Sequence, residues 1–292
     1  ALRSPQANPI CNAMAAAGEN LWHELFVPGR LCMMGEHSDW AGGFRRANPE
    51  IPEGMCIVCG TDQGIYARAR RCSSAIKLTS TDEHGQQKSA SLELDTQALL
   101  ATAREGGFFA YAAGVCYELL TFNQVGGIEI VNYKTNLPLR KGLSSSAALC
   151  VLVARAFNVA YGLKYTERGE MELAYKGEIS TPSKCGRMDQ CCAFGQAPVL
   201  MTFDGDHMRC ERLTLPPGVT LYYVIVDMLA EKDTTVILSE LSRAYPSPSG
   251  EGDELAIQKG VHEFLGPTNA RLMKAAKDAF LAGDAAKIGE RK

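Results

Sequence analysis

Three short polar segments, spaced along a chain of 292 residues, carry the side chains that could do chemistry. The first is Pro28–Gly43, where four charged or titratable side chains fall within ten residues among glycines: Arg30, Glu36, His37 and Asp39. So many directional hydrogen-bonding groups on a tight loop after a strand suit a polyhydroxylated ligand. A solvated turn is an equally good interpretation of this segment taken alone.

The second segment, Leu137–Ala148, places a glycine and three serines between a predicted strand and the start of an apolar helix. Free backbone N–H groups and the helix dipole make such a junction an anion site. Gly142 lets a phosphate approach the backbone closely, and Arg140 and Lys141 add positive charge. The segment is not a Walker A loop, because it lacks the G-x-x-x-x-G-K-[ST] pattern. A serine N-cap on a core helix is an alternative of equal weight.

The third segment, Cys185–Gln190, contains Asp189 next to Met188 and before the apolar run Cys191–Phe194. An acid in apolar surroundings needs hydrogen-bonding partners or has a chemical role. Taken alone, this pattern favours a structural cap over a reactive carboxylate.

Composition narrows the class of protein. A net charge of −3 and a pI near 6.0 give no broad basic face for nucleic acid or an anionic membrane. No run of about 18 apolar residues predicts a membrane span, and Ala1–Gly18 lacks the pattern of a secretory signal. Eleven scattered cysteines favour reduced thiols in the cytoplasm. For the C-x-x-C at Cys56 and Cys59, core filling is favoured over zinc or redox chemistry.

The elements that must position these segments alternate irregularly between strands and helices, which predicts an α+β fold. The patterns predict strands over 24–34, 75–80, 127–133, 198–203 and 219–227, and a hairpin over 55–70 that turns at Asp62–Gly64. They predict helices over 108–122, 144–161, 166–176, 255–264 and 269–281.

Taken in order, the three segments match G-R-x-x-x-x-G-E-H-[ST]-D-[YW]-x-G-G, P-L-x-x-G-L-S-S-S-A-A and C-G-x-M-D-Q. In this the chain resembles the GHMP-family small-molecule kinases, and their galactokinase branch most of all. The resemblance implies a two-domain fold: a ribosomal-protein-S5-like domain over residues 20–200 that binds ATP and sugar, and a ferredoxin-like domain over 201–292. A Gly-rich motif typical of the family's C-terminal part is missing, so we expect the second domain to be incomplete.

The resemblance also implies roles for individual residues. Asp189 would take or orient the proton of the sugar hydroxyl, and Arg30 would stabilise the developing charge. Ser146 and Glu178 would hold Mg²⁺, although Glu178 lies one residue closer to Asp189 than is usual. The ATP phosphates would lie in a loop formed by Lys141, Gly142, Leu143, Ser144, Ser145, Ser146 and Ala147. The sugar would be held by Glu36, His37, Asp39 and Gly186.

Several departures from the galactokinase pattern leave the sugar open. About ten residues, Arg45–Gly54, are inserted after the first motif, and Trp40 stands where galactokinases usually have Tyr. A downstream Tyr that usually contacts galactose has no match in Glu231–Arg243. We therefore expect an ATP-dependent kinase for galactose or a related monosaccharide. Two alternatives stay open: a catalytically silent sugar- or ATP-sensing relative, and a kinase of a non-sugar alcohol such as mevalonate. The acidic Glu36–Asp39 cluster disfavours the latter, because a hydroxy acid calls for a basic carboxylate clamp.

Overall fold

The structure, a computed structural model, describes residues 21–81, 85–138, 141–183, 185–224, 226 and 234–290. Its strands are β1 (His23–Met34), β2 (Gly54–Cys72), β3 (Ile76–Thr81), β4 (Gln87–Leu92), β5 (Gly127–Thr135), β6 (Val199–Asp204) and β7 (His207–Arg212). Its α-helices are α1 (Ser38–Gly43), α2 (Thr96–Glu105), α3 (Ala110–Phe122), α4 (Ser145–Tyr161), α5 (Glu167–Ile179), α6 (Thr234–Ala244), α7 (Gly252–Glu263), α8 (Asn269–Ala282) and α9 (Ala285–Glu290). The predicted α+β class is confirmed. Among the described helices, none is long and apolar enough to cross a membrane.

The chain divides into two compact units, each made of three separate segments. The first unit comprises residues up to Val27, Gln63–Leu137 and Ser146–Ser183. The second comprises Pro28–Asp62, Pro138–Ser145 and Lys184–Lys292. The predicted division into domains 20–200 and 201–292 stays a prediction.

In the first unit, the second half of β2 pairs antiparallel with β5, which pairs parallel with β3, and β3 forms a hairpin with β4. Helix α4 is buried along most of its length, as its nearly all-round apolar sequence predicts. Helix α5 begins after Thr166, whose hydroxyl accepts a hydrogen bond from the Gly169 N–H at 3.3 Å. That contact confirms the N-cap expected from the sequence.

In the second unit, the first half of β2 pairs antiparallel with β6, and β6 forms a hairpin with β7. Helices α8 and α9 supply Met273, Phe280 and Ile288 to a core that also contains Met55 and Leu200 from the strands. Met33 and Met34, at the C-terminal end of β1, are part of this core. The strand that carries Arg30 is therefore anchored by burial of its C-terminal end.

The predicted hairpin over 55–70 is wrong, because β2 runs unbroken from Gly54 to Cys72. Gly64 lies inside the strand, where a Cβ atom would fall 2.4 Å from the Val27 carbonyl oxygen and 2.6 Å from the Phe26 ring. The glycine permits close strand approach and makes no turn. On the same strand, Cys56 is a buried free thiol and Cys59 a half-buried one, which agrees with core filling.

The predicted strand over 219–227 is also wrong for the residues described, since 219–224 and 226 form no strand. Tyr222, Val224 and Val226 are largely exposed there, at 91%, 87% and 69%. β-Branched and aromatic residues favour a strand only when a neighbouring strand or core covers them. The other predicted strands and helices are confirmed to within a few residues, whereas six elements were not predicted: β4, β7, α1, α2, α6 and α9.

Candidate active site

An arginine and an aspartate form the centre of the candidate site, within the second unit. Arg30 on β1 is only 4% exposed, and its Nη2 donates a short hydrogen bond to Oδ1 of Asp189. Its Nη1 lies 3.5 Å from Oε2 of Glu36. Burial alone would lower the pKa of Arg30, but the negative charges of Asp189 and Glu36 outweigh burial and raise it. The guanidinium is therefore a permanent positive charge between two carboxylates.

The glycine–serine loop reaches the same carboxylate. The Ser144 hydroxyl donates a hydrogen bond to Oδ1 of Asp189 at 2.7 Å, and the Leu143 carbonyl accepts one from the Arg30 N–H at 3.0 Å. Gly142 and Ser144 both have left-handed backbone torsions, with φ of 77° and 54°. The structure thus joins the second sequence segment to the first and third, and gives Ser144 a carboxylate partner that the sequence did not predict.

Asp39 is held next to the third segment. Its Oδ2 accepts a hydrogen bond from the Met188 N–H at 3.1 Å. A Cβ atom at Gly186 would lie 1.7 Å from the same oxygen, so only glycine leaves room for the carboxylate there. Burial raises the pKa of Asp39 to about 6, the charge of Asp189 adds to the rise, and the Met188 hydrogen bond opposes it. Two of the four predicted sugar-binding residues, Asp39 and Gly186, therefore lie together.

The loop that carries Glu36, His37 and Asp39 is held in place by buried hydrogen bonds. Buried Ser38 has its hydroxyl 2.6 Å from the Gly35 carbonyl oxygen and 2.7 Å from that of Met55. The Met55 oxygen also accepts a hydrogen bond from the Asn269 side-chain amide at 2.9 Å. His37, at φ 64°, adopts a left-handed conformation at the N-terminus of α1. The backbone of this loop is thus held by buried contacts, while Glu36 and His37 stay partly exposed.

The ten-residue insertion, Arg45–Gly54, packs against a cluster of aromatic side chains next to the acidic loop. The Trp40 ring packs edge-on against Phe44 at 5.0 Å and lies 5.8 Å from the ring of Tyr245. Ile51, from within the insertion, is buried in the same cluster. Arg45 holds the insertion through a 2.5 Å ion pair with Asp204. The insertion is therefore packed onto the body of the unit.

Tyr245 lies two residues beyond Glu231–Arg243, the segment in which the sequence pattern has no matching tyrosine. It is 1% exposed, and its hydroxyl has no hydrogen-bond partner among the described residues. It follows directly on helix α6, which the sequence pattern did not predict.

The remaining predicted residues, apart from Glu178, lie at or directly before the start of α4 in the chain. This helix begins at Ser145, so Ser145, Ser146 and Ala147 form its first turn, and Lys141 is exposed before it. Glu178 lies near the end of α5 and is 1% exposed. Arg140 lies outside the described residues.

A cleft in the first unit was not predicted. It lies between β3, β5, the start of α3 and one side of α4, and its cavity volume is about 20 Å³, room for little more than one water molecule. Phe108 and Phe109 stand edge-to-face with centroids 4.9 Å apart, and the Lys88 ammonium lies 4.6 Å from the Phe108 ring centroid. The cleft is lined by Leu78, Thr79, Ser80, Phe108, Phe109, Ala112, Ile130, Asn132, Leu149, Leu152 and Val153.

Comparisons with known proteins bear on the family and the fold of the chain. The sequence profile described as the GHMP kinases N terminal domain matches residues 109–196, which include the glycine–serine loop and Asp189. The fold is similar to that of Lactococcus lactis galactokinase complexed with galactose, with a TM-score of 0.63 and 18% identity. That match covers 97% of this chain and 77% of the galactokinase.

Two further solved structures have the same fold. A D-glycero-D-manno-heptose 1-phosphate kinase from Bacteroides thetaiotaomicron matches with a TM-score of 0.58 and 19% identity, over 93% of this chain and 76% of that one. The Methanococcus jannaschii mevalonate kinase matches with a TM-score of 0.56 and 13% identity, over 93% and 80%. The three proteins are named for different alcohol substrates, so the similarity shows a shared fold and not a shared substrate. The predicted fold is confirmed: residues 109–196 match the GHMP kinases N terminal domain, and the chain has the fold of solved GHMP kinases.

Proposed function

We propose that this protein is an ATP-dependent sugar kinase that transfers the γ-phosphate of ATP to a hydroxyl of galactose or a related monosaccharide. The observation that carries the proposal is the carboxylate of Asp189, paired with buried Arg30 in the same unit as the Glu36–Asp39 loop. A base, a fixed positive charge and several hydroxyl-binding groups are what phosphoryl transfer to a sugar requires.

In the proposed reaction, the sugar oxygen attacks the γ-phosphorus while its proton passes to the Asp189 carboxylate. The bond between the γ-phosphorus and the bridging oxygen breaks, and ADP leaves with that oxygen. The charge of Arg30 stabilises the negative charge that develops in the transition state. Because the transferred group needs positioning and charge neutralisation, no covalent enzyme intermediate is required.

The phosphates of ATP are assigned to the residues from Lys141 to Ala147. Consecutive left-handed and right-handed residues turn neighbouring N–H groups to the same side, and such a concavity binds anions. The positive φ values of Gly142 and Ser144 supply this alternation, and the first turn of α4 adds free N–H groups. Lys141 adds an exposed positive charge that can follow the phosphates.

Magnesium is assigned to the Ser146 hydroxyl and the Glu178 carboxylate, both of which belong to the first unit. Oxygen donors suit this ion, which usually keeps one or two protein ligands and completes its shell with water and phosphate oxygens. In keeping with so small a protein share, the described residues contain no cluster of three or more His, Cys, Asp or Glu that could hold a metal. When bound, the ion would neutralise phosphate charge.

Sugar affinity is expected to fall below about pH 6, because burial raises the pKa of Asp39 to about that value. The ionised carboxylate accepts charge-assisted hydrogen bonds from sugar hydroxyls on both oxygens, whereas the protonated group loses that charge and part of its acceptor capacity, so the Kd should rise by up to about tenfold for each pH unit below the pKa. Calorimetric titration of the sugar from pH 5 to 8 measures this. The same titration of Asp39→Asn is expected to show weaker binding and a flatter pH dependence.

Protonation of Asp39 does not destabilise the fold at acid pH, so unfolding caused by this group would not explain a loss of sugar affinity. A carboxyl group with a raised folded-state pKa contributes most to stability below its unfolded pKa, and that contribution is lost as the pH rises through about 6. Its titration therefore favours folding at low pH. An affinity that stays constant between pH 5 and 8 in the wild-type protein would contradict the role given to Asp39.

The proposed function is tested by coupled ADP release with MgATP across a panel of aldoses and uronic acids. Turnover with one sugar identifies the substrate. If no sugar is turned over while ATP or a sugar still binds by calorimetry, the proposal fails and a silent sensor on the same fold replaces it. Retention of Arg30, Asp189 and Ser146 argues against that alternative, because a silent relative has no use for all three.

A further inference from the structure

The carboxylate of Asp189 is engaged on one oxygen and open on the other. Oδ1 accepts hydrogen bonds from Arg30 Nη2 and from the Ser144 hydroxyl, and the structure gives Oδ2 no hydrogen-bond partner among the described residues. Two donors on one oxygen fix the plane of the carboxyl group and leave the second oxygen available to a ligand. The side chain is about one quarter exposed, so a substrate can reach part of it.

Ser144 is itself held in an unusual backbone state. Its φ of 54° lies in the left-handed region, where a residue other than glycine is strained and persists only when its surroundings hold it. Two contacts do so: the preceding Leu143 carbonyl accepts the Arg30 N–H, and the Ser144 side chain reaches Asp189. The loop is thus attached to β1 through the backbone and to the catalytic pair through a side chain.

The Ser144 hydroxyl has a single proton, and this proton is directed to Asp189. It is therefore not available to donate to a phosphate oxygen. Among the three consecutive serines, Ser144 differs in this respect from Ser145 and Ser146, which open helix α4. Three identical side chains at adjacent positions therefore differ in their surroundings: Ser144 bonds to Asp189, whereas Ser145 and Ser146 lie in the first turn of α4.

We infer that Ser144 is a positioning residue, which orients the Asp189 carboxylate so that Oδ2 is the oxygen that receives the sugar hydroxyl proton. The inference rests on the proposed function. It assigns the loop a second task, in which the segment that approaches the phosphates also sets the angle of the base. Arg30 alone would leave the carboxyl group free to rotate about its hydrogen bond, and the second donor removes that freedom.

Three variants at this position separate the hydroxyl from the backbone. Ser144→Ala removes the hydroxyl and keeps the strain, Ser144→Gly removes both, and Ser144→Thr keeps the hydroxyl and adds strain. We expect kcat to fall about tenfold to a hundredfold in the Ala and Gly variants and to stay within about threefold in Thr. The Tm should follow another order, with Gly above Ala and Thr below the wild type. The KM for ATP should stay within about threefold in all three.

Ser145→Ala is the matched comparison, because it removes the same group one residue later. At the N-terminus of α4, its loss is expected to raise the KM for ATP with a smaller effect on kcat. If Ser144→Ala instead raises the KM for ATP and leaves kcat unchanged, its hydroxyl serves a phosphate and the inference is overturned. A kcat that follows the Tm across the three variants would overturn it as well.

Crystal structures of the wild type and of Ser144→Ala address the same inference without turnover. We expect the Asp189 carboxyl group to rotate when the hydroxyl is removed and to keep its orientation in Ser144→Thr. An unchanged orientation in the Ala variant would overturn the inference even for an active sugar kinase. If the panel finds no substrate but the carboxyl group rotates, the proposed function fails while the positioning contact stands.

Discussion

Replacing Asp189 with asparagine is expected to lower kcat by about 10²–10⁴ with the identified sugar. The amide oxygen can still accept the hydrogen bonds of Arg30 and Ser144, so the side chain should keep its place. The amide cannot, however, take up the proton of the attacking hydroxyl. Steady-state kinetics with MgATP should therefore show a loss in kcat with the KM for sugar nearly unchanged.

Asp278→Asn is the matched control, since it makes the same chemical change on the exposed face of α8. It should be as active as the wild type, and both variants should melt within a few degrees of it. A kcat for Asp189→Asn within about tenfold of the wild type would mean that another group accepts the proton or that none is needed.

Replacing Arg30 with lysine is expected to have the next largest effect, a fall of about 10²–10³ in kcat/KM. Arg30 addresses Asp189 with one terminal nitrogen and Glu36 with the other, at 3.5 Å for Glu36. A lysine presents one compact charge and cannot keep this fork, so one of the carboxylates loses its partner. The same steady-state assay, with the concentration of each substrate varied in turn, measures the fall in kcat/KM.

Arg46→Lys controls for the substitution itself. Arg46 is exposed and forms a 3.4 Å surface pair with Asp206, the kind of contact that contributes little to stability. This variant should retain wild-type activity. If Arg30→Lys is also fully active, positive charge alone is sufficient, and the geometry of the guanidinium fork has no part in the reaction.

Much of the candidate site could be predicted from the sequence, because the three segments carry local information. Glycines beside acidic residues, and serines before an apolar run, specify a loop and a helix start without reference to distant parts of the chain. The structure brings Arg30, Asp39, Gly186 and Asp189 together as the resemblance implies.

Other features depend on contacts between distant residues and could not be predicted. The bond from Ser144 to Asp189 spans 45 positions, and sequence alone treats the three serines as equivalent. Gly64 resembles a turn glycine until the nearby Phe26 ring is known. The segment 219–227 has strand-like composition, yet its described residues are exposed and irregular. The residue types of a segment set its preference for a secondary structure, but tertiary contacts decide whether that structure forms.

The contact between Asn269 and Met55 joins residues 214 positions apart in the chain. Ser38 meets the same carbonyl oxygen, so the support of the acidic loop includes a residue near the end of the sequence. A ribosome makes the loop early, but the loop cannot gain its last buried contact until helix α8 has been synthesised and has emerged. The acidic loop is thus encoded 214 positions before one of the residues that support it, so its buried contacts are complete only after α8 has folded.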